Sequence, residues 1–305
     1  MVAKERLSRR DVTRIAVLFV LFWAQTVLAE SLPIFDVHTH YKWNQEEVTT
    51  PEQAIEYLDQ SGVSHVVVIG TPADHALKLK ALAPERVIAL YGPYLLGGEK
   101  FKWQIREPLI EEAAKGLASG QYAGIGELHM IGGMTMRWQR SPVLLGLLAL
   151  GRKYDVPLMV HNEYSKPNPS IWLCRDNPEN RFLYAHAGAI LDPNEVAEIL
   201  DACPNVVMDL AARDPWRYVN NPITDASGKL LPEWEALILE YVDRFTIGSD
   251  TVWPVDQHSI FDEPDSGWEE LPRFIQFHRD WLKYLPRDAQ KKLAYENAKA
   301  LFRLK

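Results

Sequence analysis

PIFDVHTHYKW, residues 33–43, begins with a short apolar run and places two histidines, His38 and His40, two positions apart near its end. In an extended strand every second side chain shares a face, so both imidazoles project from the same side at the carboxyl end. Asp36 has the same parity and could accept hydrogen bonds beneath the pair. An HxH pair alone is as readily two solvated polar residues as two ligands of one cation. The rest of the chain decides between them.

Seven more β-branched, apolar runs follow: HVVVIG (65–70), RVIALYG (86–92), YAGIGEL (122–128), VPLMVH (156–161), RFLYAH (181–186), NVVMDL (205–210) and RFTIGSD (244–250). Helical patterns separate them, at 51–62, 73–83, 108–120, 141–155, 192–203 and 231–243. Thr50-Pro51, Ser141-Pro142 and Asp192-Pro193 each read as an N-cap followed by proline in the first turn. Strand and helix alternating eight times predicts one (β/α)8 TIM barrel over residues 30–305, close to the ~250 residues usual for that fold. A doubly wound sheet is the competing arrangement, but no GxGxxG follows the first strand. The long insertions, 162–180, 211–233 and 251–272, all follow strands, on the side where such barrels build their sites.

The first 29 residues stand apart. Lys4, Arg6, Arg9, Arg10 and Arg14 precede an apolar run from Ile15 to Trp23, then QTVLA before Glu30. This predicts an export signal cleaved after Ala29 and a periplasmic mature protein. Ser8 to Arg14 resembles a twin-arginine signal. The apolar run is shorter than the ~20 residues of a membrane span, so no stable anchor is expected after cleavage.

The mature chain keeps 28 Lys and Arg against 39 Asp and Glu, a balance that repels nucleic acid. Cys174 and Cys203 lie in no CxxC spacing, and sequence leaves open whether they pair.

The ends of the other strands carry the chemistry. Glu127 ends strand 4, His161 strand 5, His186 strand 6 and Asp250 strand 8. Any one of them alone is an ordinary polar residue at a core edge. Together with the HxH pair they would gather imidazoles and carboxylates at one mouth of the barrel. Such a cluster is costly to bury unless a divalent cation neutralises it. Nitrogen and oxygen donors without thiolate suit zinc first, with manganese or iron(II) also fitting, as one ion or two.

HxH on strand 1, His on strands 5 and 6 and Asp on strand 8 resemble the amidohydrolase superfamily of metal-dependent hydrolases along the whole mature chain. The segments 185–188, 248–250 and 297–302 are similar to the group that lacks a flanking β-sandwich. Glu127 after Gly124-Ile125-Gly126 resembles the strand-4 glutamate of TatD-like hydrolases, although Leu128-His129-Met130 departs from that family's next residues. None of the predicted strand ends carries a lysine that could be carboxylated as a bridge.

The resemblance implies His38, His40 and Asp250 on one metal. It implies His161 and His186 on a second, or one of them against substrate, and Glu127 bridging or binding alongside. It further implies metal-activated water attacking a small ester, lactone, amide or phosphoester, with Asp250 as the base. A decarboxylase or hydratase using the same ligands is the alternative within the superfamily. A secreted barrel that binds metal or solute without turnover is the alternative outside it.

Glu163, Asp209 and His129 have positions from which to face the pocket, and Arg213 and Arg217 could grip a substrate carboxylate. Trp253, with Tyr41, Trp43, Tyr94, Trp172 and Trp216, suggests aromatic walls. Ordinary packing is the competing expectation for each. His65 falls at the far end of the barrel, and His75, His258 and His278 read as surface residues. A small-molecule substrate is expected, and the oligomeric state is open.

Overall fold

The computed structural model describes residues 32–95, 102–132, 137–217, 221–251 and 267–304. The predicted export signal, Trp253 and His258 lie outside the described residues. Eight parallel strands follow in order: β1 (Ile34–Lys42), β2 (Val63–Thr71), β3 (Val87–Leu90), β4 (Ile125–Ile131), β5 (Leu158–Glu163), β6 (Phe182–Tyr184), β7 (Val206–Asp209) and β8 (Phe245–Thr246). A helix follows each one: α1 (Pro51–Gln60), α2 (His75–Leu82), α3 (Pro108–Ala118), α4 (Pro142–Tyr154), α5 (Asn168–Arg175), α6 (Pro193–Ala202), α7 (Pro232–Glu240) and α8 (Leu271–Leu282). Two short helices, α9 (Arg287–Lys291) and α10 (Asn297–Leu301), end the chain.

The strands pair as β1-β2-β3 and β4-β5-β6-β7-β8. Main-chain hydrogen bonds close both seams between these sheets. Tyr91 N–H donates to Gly124 O at 2.9 Å and Gly126 N–H to Tyr91 O at 3.0 Å. Across the other seam, Val37 N–H donates to Ile247 O at 3.1 Å and Asp250 N–H to His38 O at 2.7 Å. The ring is therefore the expected TIM barrel.

The N-caps predicted at Thr50, Ser141 and Asp192 each accept a main-chain N–H three residues on. The insertion at 162–180 contains α5, which buries Ser170, Leu173 and Cys174 on one face. Cys174 and Cys203 form a disulfide with Cα atoms 5.9 Å apart, joining α5 to the end of α6. No helix among the described residues is long and apolar enough to cross a membrane.

Phe35 and Val37 of β1, Val67 and Ile69 of β2, Ile88 and Leu90 of β3, Met159 of β5 and Leu183 of β6 share one buried cluster with Leu301 and Phe302. Strands on opposite sides of a ring meet only through its interior, so this cluster fills the barrel, and α10 plugs its amino-terminal end. His65 packs there too, against Phe35 and Tyr295.

Strict alternation cannot place Phe35 and Val37 inside together with His38 and His40. The structure resolves this with a one-residue register shift in β1 between Asp36 and Thr39. A bulge of this kind re-aims the side chains beyond it. The expectation that Asp36 shares the inward parity of the histidines is thereby corrected. Asp36 is still the buried acceptor expected beneath the pair: it accepts the His38 N–H at 3.1 Å, and from the segment after β8 it accepts Ser249 Oγ at 2.5 Å and Ser249 N–H at 2.9 Å. β1 also runs further than predicted, to a buried Lys42.

Candidate metal centre

β4 carries the same device as β1, a register shift between Ile125 and Leu128. Gly126 sits in the shift at φ +136°, and a Cβ there would stand 2.4 Å from Met159 O. Only glycine fits, and it sets the direction of Glu127. The bulges in β1 and β4 thus direct three of the expected ligands into one space.

His38, His40, Glu127, His161, His186 and Asp250 are all buried at the carboxyl end of the barrel. His38 Nε2 and His40 Nε2 lie 3.1 Å apart. Asp250 Oδ1 is 3.6 Å from the first and 3.5 Å from the second. Glu127 reaches across the group, with Oε2 3.4 Å from His40 Nε2 and Oε1 2.9 Å from His161 Nδ1. Glu127 Oε1 and Asp250 Oδ2 stand 3.7 and 3.9 Å from His186 Nε2. Two trios, His38-His40-Asp250 and Glu127-His161-His186, each bring three donor atoms within 4.8 Å of one another. The first is the set that the resemblance implies, and the second joins the implied His161 and His186 to the Glu127 expected to bridge or bind alongside; a further trio, His38-His186-Asp209, shares residues with both.

Hydrogen bonds fix which nitrogens can act as ligands. His186 Nδ1 lies 2.9 Å from Ala211 O, and a carbonyl only accepts, so Nδ1 carries the hydrogen. Its Nε2 lone pair then faces two carboxylates. Protonation is a poor remedy, because burial pushes the His186 pKa down to about 4. His38 Nδ1 lies 3.2 Å from Asp209 Oδ2; burial disfavours its cation, but Asp209, Asp250 and Glu127 raise its pKa well above the ordinary imidazole value, so Nε2 becomes a lone-pair atom once the ring releases a proton. Lone pairs and carboxylates converging on a buried space are reconciled by a divalent cation, so the donor set fits one.

Burial opposes the charge on Asp250, yet His38, His186, His40 and Arg217 hold its pKa below the usual carboxylate range. Glu127 is depressed further, by His129, His161 and His38, against the same burial. Burial disfavours the cationic form of His161, but Glu127 on Nδ1 and Glu163, 3.4 Å from Nε2, raise its pKa to about 9. To serve as a ligand this imidazole must release a proton.

Around the centre, Asp209 is fully buried and its Oδ1 accepts the N–H groups of His186 and Ala211 at 2.9 and 3.0 Å. His129 stacks on His161 with ring centroids 4.6 Å apart, and its Nδ1 lies 2.9 Å from Tyr94 Oη. The Glu163 side chain is 41 % exposed, whereas the six expected ligands are buried.

Three expectations are corrected here. Arg213 does not face substrate: all five of its N–H donors are directed to the carbonyls of His186, Ala187, Leu191 and Asn221. Arg217 does not face substrate either: its side chain is buried, paired with Asp214 and donating to Ser249 O and Asp250 O. His278 is not a surface residue. It is buried on α8 with Nε2 2.9 Å from Gly248 O. The amphipathic period of α8 places this position on its inner face, a signal present in the sequence.

The aromatic walls are only partly formed by the expected residues. Tyr94 stands beside His129, whereas Tyr41 turns away to donate to Thr49 O at 2.8 Å. Trp216 packs on Phe277 and under Arg273, and Trp172 lies half exposed on α5.

The model of the amidohydrolase family matches residues 35–304. No curated protein matches the chain in sequence. Among solved structures, a TatD homologue from Escherichia coli is 15% identical, with 89% of this chain and 98% of that chain covered and a TM-score of 0.60. Dihydroorotase from Campylobacter jejuni is 13% identical, covering 90% of this chain and 84% of its own, with a TM-score of 0.56. A 5-carboxyvanillate decarboxylase from Novosphingobium aromaticivorans, solved with manganese, is 11% identical, covering 89% and 96%, with a TM-score of 0.52. At these identities the likeness concerns the fold.

Proposed function

The chain belongs to the amidohydrolase family, and from that premise we propose that it is a metal-dependent hydrolase of a small ester, lactone, amide or phosphoester. One observation carries this reading: the His38, His40 and His186 Nε2 atoms and the Glu127 and Asp250 carboxylates converge on one buried space. When bound there, a divalent cation, zinc by the donor types, polarises the scissile group and acidifies water. His38, His40 and Asp250 would hold one ion. Glu127, His161 and His186 would hold a second or complete the first.

Asp250, kept ionised by its neighbours, accepts the proton of the attacking water and passes it to the leaving group. The carboxylate is ionised, and so able to accept a proton, throughout the neutral range. His129, its Nδ1 engaged by Tyr94, presents Nε2 beside Glu127 at 3.8 Å. Glu163, its Oε2 3.4 Å from His161 Nε2 and its side chain partly exposed, stands at the rim where a polar part of the substrate would enter.

Elemental analysis of the purified protein tests the metal, with His38→Ala and Asp250→Asn as controls. We expect one or two equivalents of metal in the parent and less in both variants. Folded protein that holds no metal and ignores added Zn²⁺ or Mn²⁺ would overturn the reading. A panel of lactones, esters, amides and phosphoesters, run beside carbon dioxide release from aromatic acids, separates hydrolysis from decarboxylation.

We further propose export to the periplasm with residues 1–29 removed. The Cys174–Cys203 disulfide supports this, since such bonds persist in oxidising compartments. Periplasmic protein whose N-terminus is Glu30 is the expected result, and cytoplasmic protein retaining Met1 would refute it.

A further inference from the structure

Two of the expected ligands occupy backbone conformations that residues with a Cβ rarely adopt. His186 has φ +55° and Asp250 φ +50°, and neither is glycine. His186 is followed by Ala187 at φ +46°, so a whole turn after β6 is left-handed. A ligand placed this way keeps its aim only if its neighbours fix the main chain around it.

The loop after β7 supplies those neighbours. Arg213 Nε donates to His186 O at 2.7 Å and Nη2 to Ala187 O at 2.8 Å, gripping both left-handed residues. Its remaining N–H groups reach Leu191 O and Asn221 O, and the guanidinium lies 4.8 Å over the Trp234 ring. Four residues later, Arg217 Nη1 donates to Ser249 O at 2.6 Å and Asp250 O at 2.8 Å. Arg217 is itself held by Asp214, whose Oδ2 accepts from Nε at 2.7 Å and lies 2.6 Å from Nη2. Phe274 packs on its other side, 3.8 Å from the guanidinium carbon.

We propose that Arg213 and Arg217 are positioning residues of the metal centre, one fixing the His186 segment and the other the Asp250 segment, from a loop that gives no ligand in either trio. The planar guanidinium suits this task because it directs several N–H groups at once to carbonyls that turn away from regular pairing. Lysine has a single flexible ammonium and can satisfy only part of each set. The inference rests on the metal-centre reading, and its test separates the two.

Cobalt(II) reports both affinity and ligand geometry through its visible absorption. Arg217→Met and Arg217→Lys, with Arg213→Met and Arg213→Lys, are titrated with Co²⁺, while circular dichroism and thermal unfolding follow the fold. Cys174→Ala/Cys203→Ala serves as a variant that loses stability away from the ligands. We expect each methionine variant to bind Co²⁺ at least tenfold more weakly with an altered spectrum. Each lysine variant should fall between it and the parent. The double cysteine variant should keep the parent's affinity and spectrum at temperatures where it is folded.

Arginine variants that lose only thermal stability, with Co²⁺ affinity and spectrum unchanged, would overturn the proposal. If a methionine variant does not fold, the folded lysine variant decides by the same criterion. A parent protein that takes up no Co²⁺ at all would overturn the metal-centre reading and this inference with it, a result distinct from an unaffected variant.

Discussion

Asp209 Oδ2 stands 3.2 Å from His38 Nδ1, while its Oδ1 accepts the main-chain N–H of His186 at 2.9 Å. One carboxylate on β7 therefore orients an expected ligand of β1 and fixes the backbone of another after β6.

Replacing Asp209 by Asn keeps the acceptor for the His186 and Ala211 amides but can turn an amide N–H toward His38 Nδ1. That nitrogen would then accept, and Nε2 would carry the hydrogen in the direction of the metal. Loss of such an orienting partner commonly weakens metal binding by about 10–100-fold. Equilibrium dialysis against Zn²⁺ should show this in protein whose far-ultraviolet dichroism is unchanged. An affinity equal to the parent's would contradict the role given to Asp209.

Gly248, just beyond β8, packs close to His38 of β1 and Ala211 after β7. A Cβ there would stand 2.8 Å from His38 Cβ and 3.1 Å from Ala211 Cβ. Gly248→Ala should therefore cost about 1–3 kcal/mol in denaturant unfolding, the usual range for overpacking a tight core. It should also weaken metal binding, because the atom it displaces belongs to an expected ligand. Normal affinity with normal stability would mean that the strands separate without strain.

His278 gives a pH dependence with a definite sign. Burial pushes its pKa down to about 4, despite the Gly248 carbonyl and Asp214 favouring the cation. As pH falls below about 6.5, the unfolded chain takes up a proton that the folded one refuses, and stability is lost. The loss is about 1.4 kcal/mol per pH unit at most, or about 2 kcal/mol by pH 5. Gln can still donate to Gly248 O, so His278→Gln should lose less stability than the parent between pH 7 and pH 5. Equal losses in urea unfolding would refute the assignment.

The Cys174–Cys203 bridge closes a loop with a sequence separation of 29. By loop-closure entropy it stabilises the fold by about 3–4 kcal/mol. Cys174→Ala/Cys203→Ala, or the reduced parent, should unfold at correspondingly lower denaturant. No change on reduction would show that the bridge contributes little.

Much of the barrel is legible in the chain because each strand announces itself by a short apolar run, and six of the eight helices that follow the strands, all but α5 and α8, are expected from a helical pattern. His38, His40, Glu127, His161, His186 and Asp250 are legible for a related reason. A barrel gathers its carboxyl-terminal strand ends at one mouth, so polar residues ending apolar runs become neighbours. The roles of Arg213 and Arg217 are not legible in this way, nor is the partner of His278, although the period of α8 marks its burial. Their partners are main-chain carbonyls on other elements, such as His186 O, Asp250 O and Gly248 O, and a carbonyl has no sequence signature.

The phase of β1 divides the two sources of information most clearly. Sequence by itself determined that the strand exists, that it is apolar below and bears HxH above, and that seven similar runs follow. Only the tertiary structure decided that the strand is bulged between Asp36 and Thr39, so that Phe35 and Val37 can fill the barrel while His38 and His40 reach the site. The same holds for the left-handed turns at His186 and Asp250. Local sequence sets which residues alternate and which are apolar. Unfavourable φ values and extra residues in a strand persist only when distant groups outweigh their cost, and those groups meet only in the folded chain.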